Sequence, residues 1–480
     1  MLFRCDNALE KKFLKHFFYF CNMANIYLVF ISMMIVTPSS YCITMLEPAD
    51  IFKIRGSPEF IDKTMLIKEF INNADTLILA APDGFGKSTN LDMIRVFLSK
   101  TVDKKQAEDV FRNTEIYKEE ALLKAHFNNH PVIHCSFKPN SPVTDYETML
   151  MAFRNVLHQT FLQHQYLTDS PHLTKNDLKE LKSYTDEDKY KTLKPIQISV
   201  GLYVLSQILE RHHGKQVILL IDDYDSVLLD SIFTKSLDIA EVFGFYNAIL
   251  SGVLLHNEHV NTTILTGTTC VSMKPLVDLE NLQCVKFLQD ETFKLFFGLT
   301  ETEVDDLLGR DAFKKFQLHR QDIKMWYDGY TDPDLSIHIY NTRSVVNFLK
   351  SGDLKSYLNT IKGEKAFKVL LEEKVTKQLF RESSQNVMIV VRHLTEIDQS
   401  HMEGLKNMII HQIWNEDFSD LYVHILMEKG YFTFDTPWER SGYNSSLTVK
   451  FPNIEVCETI RQIVHSVIEE AKKHSSNLID

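Results

Sequence analysis

The sequence predicts an α/β fold with a central parallel sheet, followed by a helical region and a small mixed α/β C-terminal segment. Three observations predict it. Short apolar runs at 76–80, 216–221 and 262–267 alternate with longer amphipathic stretches, the pattern of βαβ units. The run 217–221 is apolar at every position, as in a strand covered on both faces. Between the first run and the next amphipathic stretch lies Ala81-Pro82-Asp83-Gly84-Phe85-Gly86-Lys87-Ser88-Thr89. A strand, a glycine-containing loop, Lys-Ser and a helix build a phosphate cradle, because loop and helix N–H groups converge where the helix dipole favours negative charge.

The elements follow in order. Arg4, Lys11, Lys12 and Lys15 precede a stretch without charge up to Glu47, apolar at 26–36 and ending in small and turn-forming residues. Residues 1–46 are expected to be a signal peptide, with translation starting at Met23, or a membrane anchor over 17–38. Either places the bulk of the chain in the secretory pathway or outside the cytosol, touching membrane through that segment alone. A lead-in and helix are expected over 59–72, and the helix after the loop carries Leu91, Ile94, Phe97 and Leu98 on one face. A strand is expected over 131–137, helices over 146–166 and 200–212, and a charged helix-and-loop insertion over 173–188, with Gly214 as a stop. A long apolar helix covers 240–256. From 301 the pattern is mainly helical, and from 422 it is mixed, with 430–434 and 446–451 as a hairpin. The expected domains are therefore 47–300 for the α/β unit, 301–420 for a helical lid-like region and 421–480 for the C-terminal segment.

Length and composition limit the function classes. A chain of 480 residues holds two or three domains, and its net charge of −12 argues against nucleic-acid binding driven by bulk charge. The cysteines at 135, 270, 284 and 457 are widely spaced and fit no disulfide or zinc pattern, so buried thiols are expected. Export would allow one or two disulfides. Asn261 and Asn444 begin formal glycosylation sequons. His126, His130 and His134 invite a metal reading, but no single helix aligns them, and the bland reading prevails.

The chemistry concentrates at two places. In the loop, the backbone of Gly84, Phe85, Gly86, Lys87, Ser88 and Thr89 would cradle phosphates, Lys87 would reach the β- and γ-phosphates, and the Ser88 hydroxyl would hold Mg²⁺. Ala81 stands where a first glycine is usual. At the end of the central strand, Asp222 would hold the metal and Asp223 would position water, while Asp225 orients neighbours or starts a helix. Thr266 closes a later strand, where a polar residue can sense the γ-phosphate or simply bond backbone. Trp326-Tyr327-Asp328-Gly329-Tyr330 is an aromatic turn suited to core closure.

These motifs, in this order, resemble the AAA-ATPase-like family found beside restriction-endonuclease-like domains in bacteria. The resemblance starts at Phe60-Ile61-Asp62-Lys63-Thr64. It continues through Phe85-Gly86-Lys87-Ser88, Leu220-Ile221-Asp222-Asp223-Tyr224-Asp225, Leu265-Thr266-Gly267, Trp326–Tyr330 with Tyr340-Asn341, Lys429-Gly430-Tyr431 and Phe451-Pro452-Asn453. It implies a P-loop ATPase using ATP and Mg²⁺, with Lys87, Asp222 and Asp223 catalytic, Ser88 and Asp222 on the metal, and Thr266 near the nucleotide. Departures are plain. Asp83 and Gly84 stand where the family carries Arg, Asp223 replaces Glu, and no nuclease core follows. Two rivals arise: an exported, catalytically degenerate interaction protein with an unknown protein partner, and a phosphotransferase acting on a small molecule.

Overall fold

Five strands, β1 (Thr76–Ala80), β2 (Val132–Ser136), β3 (Val217–Asp222), β4 (Val260–Gly267) and β5 (Leu282–Lys286), form one sheet in the order β2-β3-β4-β1-β5. Every pair is parallel. This is a computed structural model, and it describes residues 50–73, 75–358, 389–392, 397–411, 415–437, 446–460 and 462. The leader at 1–46 with Met23, and the sequon at Asn444, lie outside the described residues. Among the described residues no helix is long and apolar enough to cross a membrane.

Successive side chains in a strand point to opposite faces, and here each face has its own core. Leu77, Leu79, Ile218, Leu220 and Ile264 pack on α1 (Leu66–Asn72) and α2 (Lys87–Leu98). Ile78, Leu219, Ile221 and Leu265 pack on the other layer. That layer holds α3 (Tyr146–Leu162), α4 (Lys175–Thr185), α5 (Pro195–His213), α6 (Ser226–Phe233) and α7 (Ile239–Leu254). Both faces being covered explains why β3 is apolar from Val217 to Ile221. Each fully buried aliphatic contributes roughly 1.5–3 kcal/mol.

Local signals fix the helix ends. Asp145 and Thr148 form a capping box at the start of α3. Pro195 opens α5, five residues before the expected start, because its fixed φ suits the first helical turn. Gly214, at φ 64°, stops α5 as expected. The expected helix over 146–166 ends at Leu162 and continues as a short 3₁₀ turn, Gln165–Asp169.

Past the sheet, α8 (Glu301–Gly309), α9 (Arg320–Tyr327) and α10 (Thr342–Ser351) surround a third core of Leu299, Leu307, Trp326, Tyr327, Tyr340 and Phe348. The region is not helical alone. β6 (Leu299–Thr300), β7 (Tyr330–Thr331) and β8 (His338–Tyr340) form a small antiparallel sheet in the order β6-β8-β7. Their shortness hides them from periodicity. β9 (Ile389–Arg392), α11 (Gln399–His411) and α12 (Glu416–Glu428) follow. β10 (Thr433–Phe434) pairs antiparallel with β11 (Ser446–Lys450), the expected hairpin, and β9 adds a third strand to it.

Cys270 and Cys284 form a disulfide, which corrects the expectation of buried thiols. The bond ties the segment after β4 to β5. Cys135 does remain a buried thiol, and burial pushes it up to about 12.

Candidate functional site

The loop after β1 bends at two glycines in the left-handed region, Gly84 at φ 90° and Gly86 at φ 94°. A side chain is disfavoured at both positions. Gly84 is also crowded, because a Cβ there would stand 2.7 Å from Asn341 Oδ1. Gly86 caps α2, and its carbonyl accepts from the Asn90 N–H (2.9 Å). Lys87, Ser88 and Thr89 form the first turn of α2, where N–H groups lack intrahelical partners. Ser88 and Thr89 are half-buried.

Phe85 faces the protein rather than the loop mouth. Its ring packs edge-on against Phe287 (4.6 Å) and Tyr330 (4.9 Å), so only its backbone is free to serve a ligand. The Phe85 carbonyl accepts from Gly298 N–H (3.0 Å), and the Gly84 carbonyl accepts from Arg343 N–H (2.9 Å). Asn341 Nδ2 donates to the Asp83 carbonyl (3.3 Å). The loop is thus held by elements from beyond residue 296.

Lys87 is 5% exposed. Its ammonium donates to the carbonyls of Ala81 (2.7 Å) and Pro82 (3.2 Å) and lies 3.3 Å from Asp83 Oδ1. The Lys87 ammonium, with Arg343, Lys138 and Lys429 farther off, holds the half-exposed Asp83 carboxyl well below the usual carboxylate range, although burial opposes this.

The second half of the site comes from β3 and β4. Because β4 lies between β1 and β3, Thr266 sits beside Leu79 of β1, and Leu265 sits beside Ile221 of β3. The Thr266 hydroxyl, buried, donates to Asp222 Oδ1. Asp222 Oδ1 also accepts the Asp223 N–H (3.0 Å). Asp223 adopts φ 49°, a left-handed conformation that Asp tolerates better than most residues. Burial first, then the Asp222 carboxylate, pushes its carboxyl up to about 7, with Lys87 pulling the other way.

Asp225 takes the first of its two expected roles, orienting neighbours. It is no solvated helix-start acid. Buried, it accepts from Thr268 N–H (2.9 Å), Thr269 N–H (2.7 Å) and Thr269 Oγ1 (3.0 Å), pinning the segment after β4. Burial raises its carboxyl. Tyr224 assists by donating to the Thr269 carbonyl (2.8 Å). The aromatic turn closes the core as expected: Tyr327 and Tyr330 are buried, and a Cβ on Gly329 would stand 2.1 Å from the Pro452 carbonyl oxygen.

The fold brings the loop, Lys87, Thr266, Asp222 and Asp223 to the carboxyl edge of one sheet, beside β1, where the chain's path reverses across the strand order. The histidines do not converge. His126 Nδ1 meets His130 Nε2 at 3.1 Å, and among the described residues the three form no metal-ligand group. Glu291, Asp332 and Asp334 do cluster, but Lys294 lies 2.7 Å from Glu291 and 3.4 Å from Asp332 and supplies their counter-charge. Sequence reasoning named Asn341 only as part of the resemblance and missed Arg343; both reach the loop from 258 or more positions away, so no local signal gives their role.

Residues 52–277 match a family model described as AAA-ATPase_like, predicted AAA-ATPase. A stretch of 118 residues is 29% identical to an uncharacterised protein in the vnfD 5′ region of Azotobacter chroococcum mcd 1, covering 24% of this chain and 22% of that protein. Among solved structures, the chain is similar to a Signal Transduction ATPase with Numerous Domains protein with a tetratricopeptide repeat sensor from Pyrococcus horikoshii. Identity there is 13%, over 84% of this chain and 42% of that one, with a TM-score of 0.25. The chain therefore covers less than half the length of either relative. Residues 52–277, just under half of the chain, thus match the AAA-ATPase-like family, the group whose motifs the sequence resembles, and hold the α/β P-loop fold that the sequence predicts.

Proposed function

We propose that the chain binds ATP with Mg²⁺ at this edge and hydrolyses it. The observation that carries the reading is the convergence of the Lys87 ammonium with the Asp222–Thr266 pair on one sheet edge. The donor set fits the cofactor: an ammonium, glycine-rich backbone N–H groups and a helix start for phosphates, a hydroxyl and a carboxylate for a hard cation. Ser88 and Asp222 would hold Mg²⁺. When bound, the ion neutralises charge on the phosphate oxygens.

The protein's own groups do the rest. Lys87 leaves its carbonyl partners and takes up negative charge on the transferring phosphoryl group. Asp222, held by the Thr266 hydroxyl, keeps one oriented oxygen. Asp223, ionised above about pH 7, accepts a proton from the attacking water. Thr266 acts by positioning Asp222.

The test is thermal shift with Mg²⁺ and millimolar ATP, then phosphate release without an added acceptor. A shift that vanishes in Lys87→Ala, with phosphate released, is expected. No shift in the parent protein defeats the reading. Shift and phosphate transfer only with a small-molecule acceptor would favour a phosphotransferase.

A second reading is an exported interaction protein that keeps the fold without turnover. The Asp83 carboxylate against Lys87 and the Cys270–Cys284 disulfide favour it, since disulfides persist in oxidising compartments. Sequencing the mature N-terminus decides whether the 1–46 leader is cleaved or retained as an anchor.

A further inference from the structure

Asp83 stands among cations delivered by four separate parts of the chain. Lys87 on α2 lies 3.3 Å from its Oδ1. Lys138 follows β2, beside Phe137, whose N–H bonds the Asp222 carbonyl (2.9 Å). Arg343 opens α10, its N–H on the Gly84 carbonyl (2.9 Å) and its Cβ 3.1 Å from where a Gly84 Cβ would stand. Lys429 follows α12 and precedes Gly430, where a Cβ would stand 3.0 Å from Pro82 Cβ. Among the described residues, none of Lys138, Arg343 and Lys429 has a carboxylate at ion-pair distance, and Lys429 has only the Phe233 ring at 6.0 Å. The Asp83 side chain is 50% exposed, so it can swing to water without opening the core.

Asp222 and Asp223 share this edge with Asp83, and the four cations still outnumber these three acids, so the positive charge at the loop mouth exceeds its internal counter-charge. Such a surplus suits a ligand with more charge than one carboxylate. We propose that Lys87, Lys138, Arg343 and Lys429 form a polyphosphate site that the Asp83 carboxylate occupies in the unliganded chain, and that a nucleoside triphosphate displaces it on entry. The inference rests on the proposed nucleotide reading and adds two things to it: a self-masking anion and three outer phosphate contacts. A diphosphate is held by Lys87 and the loop N–H groups. The outer cations act on the added terminal phosphate, so they set the preference for triphosphate.

The test is calorimetric affinity for Mg²⁺–ATPγS and Mg²⁺–ADP in the full chain and in Asp83→Asn, Arg343→Gln and Arg343→Lys. Asp83→Asn keeps the side-chain shape and removes the charge. It should tighten both nucleotides by about fivefold, the size of one exposed ion pair lost from the unliganded state. Arg343→Gln should weaken ATPγS by about fivefold and ADP by less than about twofold, with Arg343→Lys restoring most of the difference. Unchanged or weaker binding by a normally melting Asp83→Asn protein overturns the mask. Equal loss of both nucleotides in Arg343→Gln overturns the outer contact. If neither the parent nor Asp83→Asn binds either nucleotide, the parent reading falls as well. Binding by the parent with Asp83→Asn unaffected sinks only the mask.

Discussion

The Thr266 hydroxyl donates to the Asp222 carboxylate across the β3–β4 boundary, and the same oxygen accepts the N–H of Asp223. One strand-end hydroxyl therefore fixes the acid that would hold the metal and the turn that carries the next acid. Thr266→Val keeps the shape and removes the donor. It should lower stability by about 1.5–3 kcal/mol, the range for a hydrogen bond to a charged group, measured by urea unfolding. Phosphate release should fall by about tenfold, while ATP affinity stays within about twofold, since the lost bond orients the acid and is not a nucleotide contact. Thr266→Ser should restore both. A fully active Thr266→Val protein would show that the bond is incidental.

Gly84 is constrained by φ and by space. Gly84→Ala should destabilise by about 1–2 kcal/mol from left-handed backbone alone, and the clash with Asn341 adds to it. Nucleotide affinity should drop with it. Gly244, exposed in α7 with open space around it, is the control: Gly244→Ala should be neutral or stabilise by up to about 1 kcal/mol. Thermal melts of the two variants side by side check the contrast.

The Cys270–Cys284 disulfide closes a loop of sequence separation 14 between the end of β4 and the edge strand β5. For a loop of that size the chain-entropy contribution is about 3 kcal/mol. Cys270→Ser with Cys284→Ser, or added dithiothreitol, should lower the denaturation midpoint accordingly. Because β5 flanks β1, nucleotide-dependent stabilisation should weaken too. Identical melts with and without reductant would dismiss this bond as a stabilising element.

Glu455 supplies a pH dependence. It is buried, it accepts from Tyr357 N–H (2.7 Å) and Ser344 Oγ (2.8 Å), and burial pushes its carboxyl up to about 7. Its folded value lies above its unfolded one, so its stabilising contribution is complete below about pH 4.5 and is lost as pH rises through 7. The slope is at most about 1.4 kcal/mol per pH unit for one proton. In Glu455→Gln that decline should be absent, so the stability of the variant relative to the parent should rise between pH 5 and pH 8. Denaturant midpoints across that range read it, and parallel pH profiles would count against the assignment.

Much of this was legible because local rules suffice for it. The apolar run of β3 announced a strand covered on both faces, and Gly84, Gly86 and Lys87-Ser88 announced a loop at a helix start. The placement of β4 between β1 and β3 was not legible, since periodicity carries no strand order. For that reason Thr266 could be named as a strand-end hydroxyl but not as the partner of Asp222. The disulfide escaped because fourteen positions of separation say nothing about two cysteines on neighbouring parts of a fold. For Asp225 the choice between an orienting acid and a solvated one was not legible, because its partners, Thr268 and Thr269, lie 43 and 44 positions away.

Phe85 anchors the middle of the loop like a stake: its ring is 1% exposed, wedged between Phe287 and Tyr330. With the Asp83 and Gly84 carbonyls also held, the midpoint of the loop cannot travel without drawing a phenyl group into water. Admission to the cradle is thereby left to side chains that swing, and the doorway stays put while its bolts move.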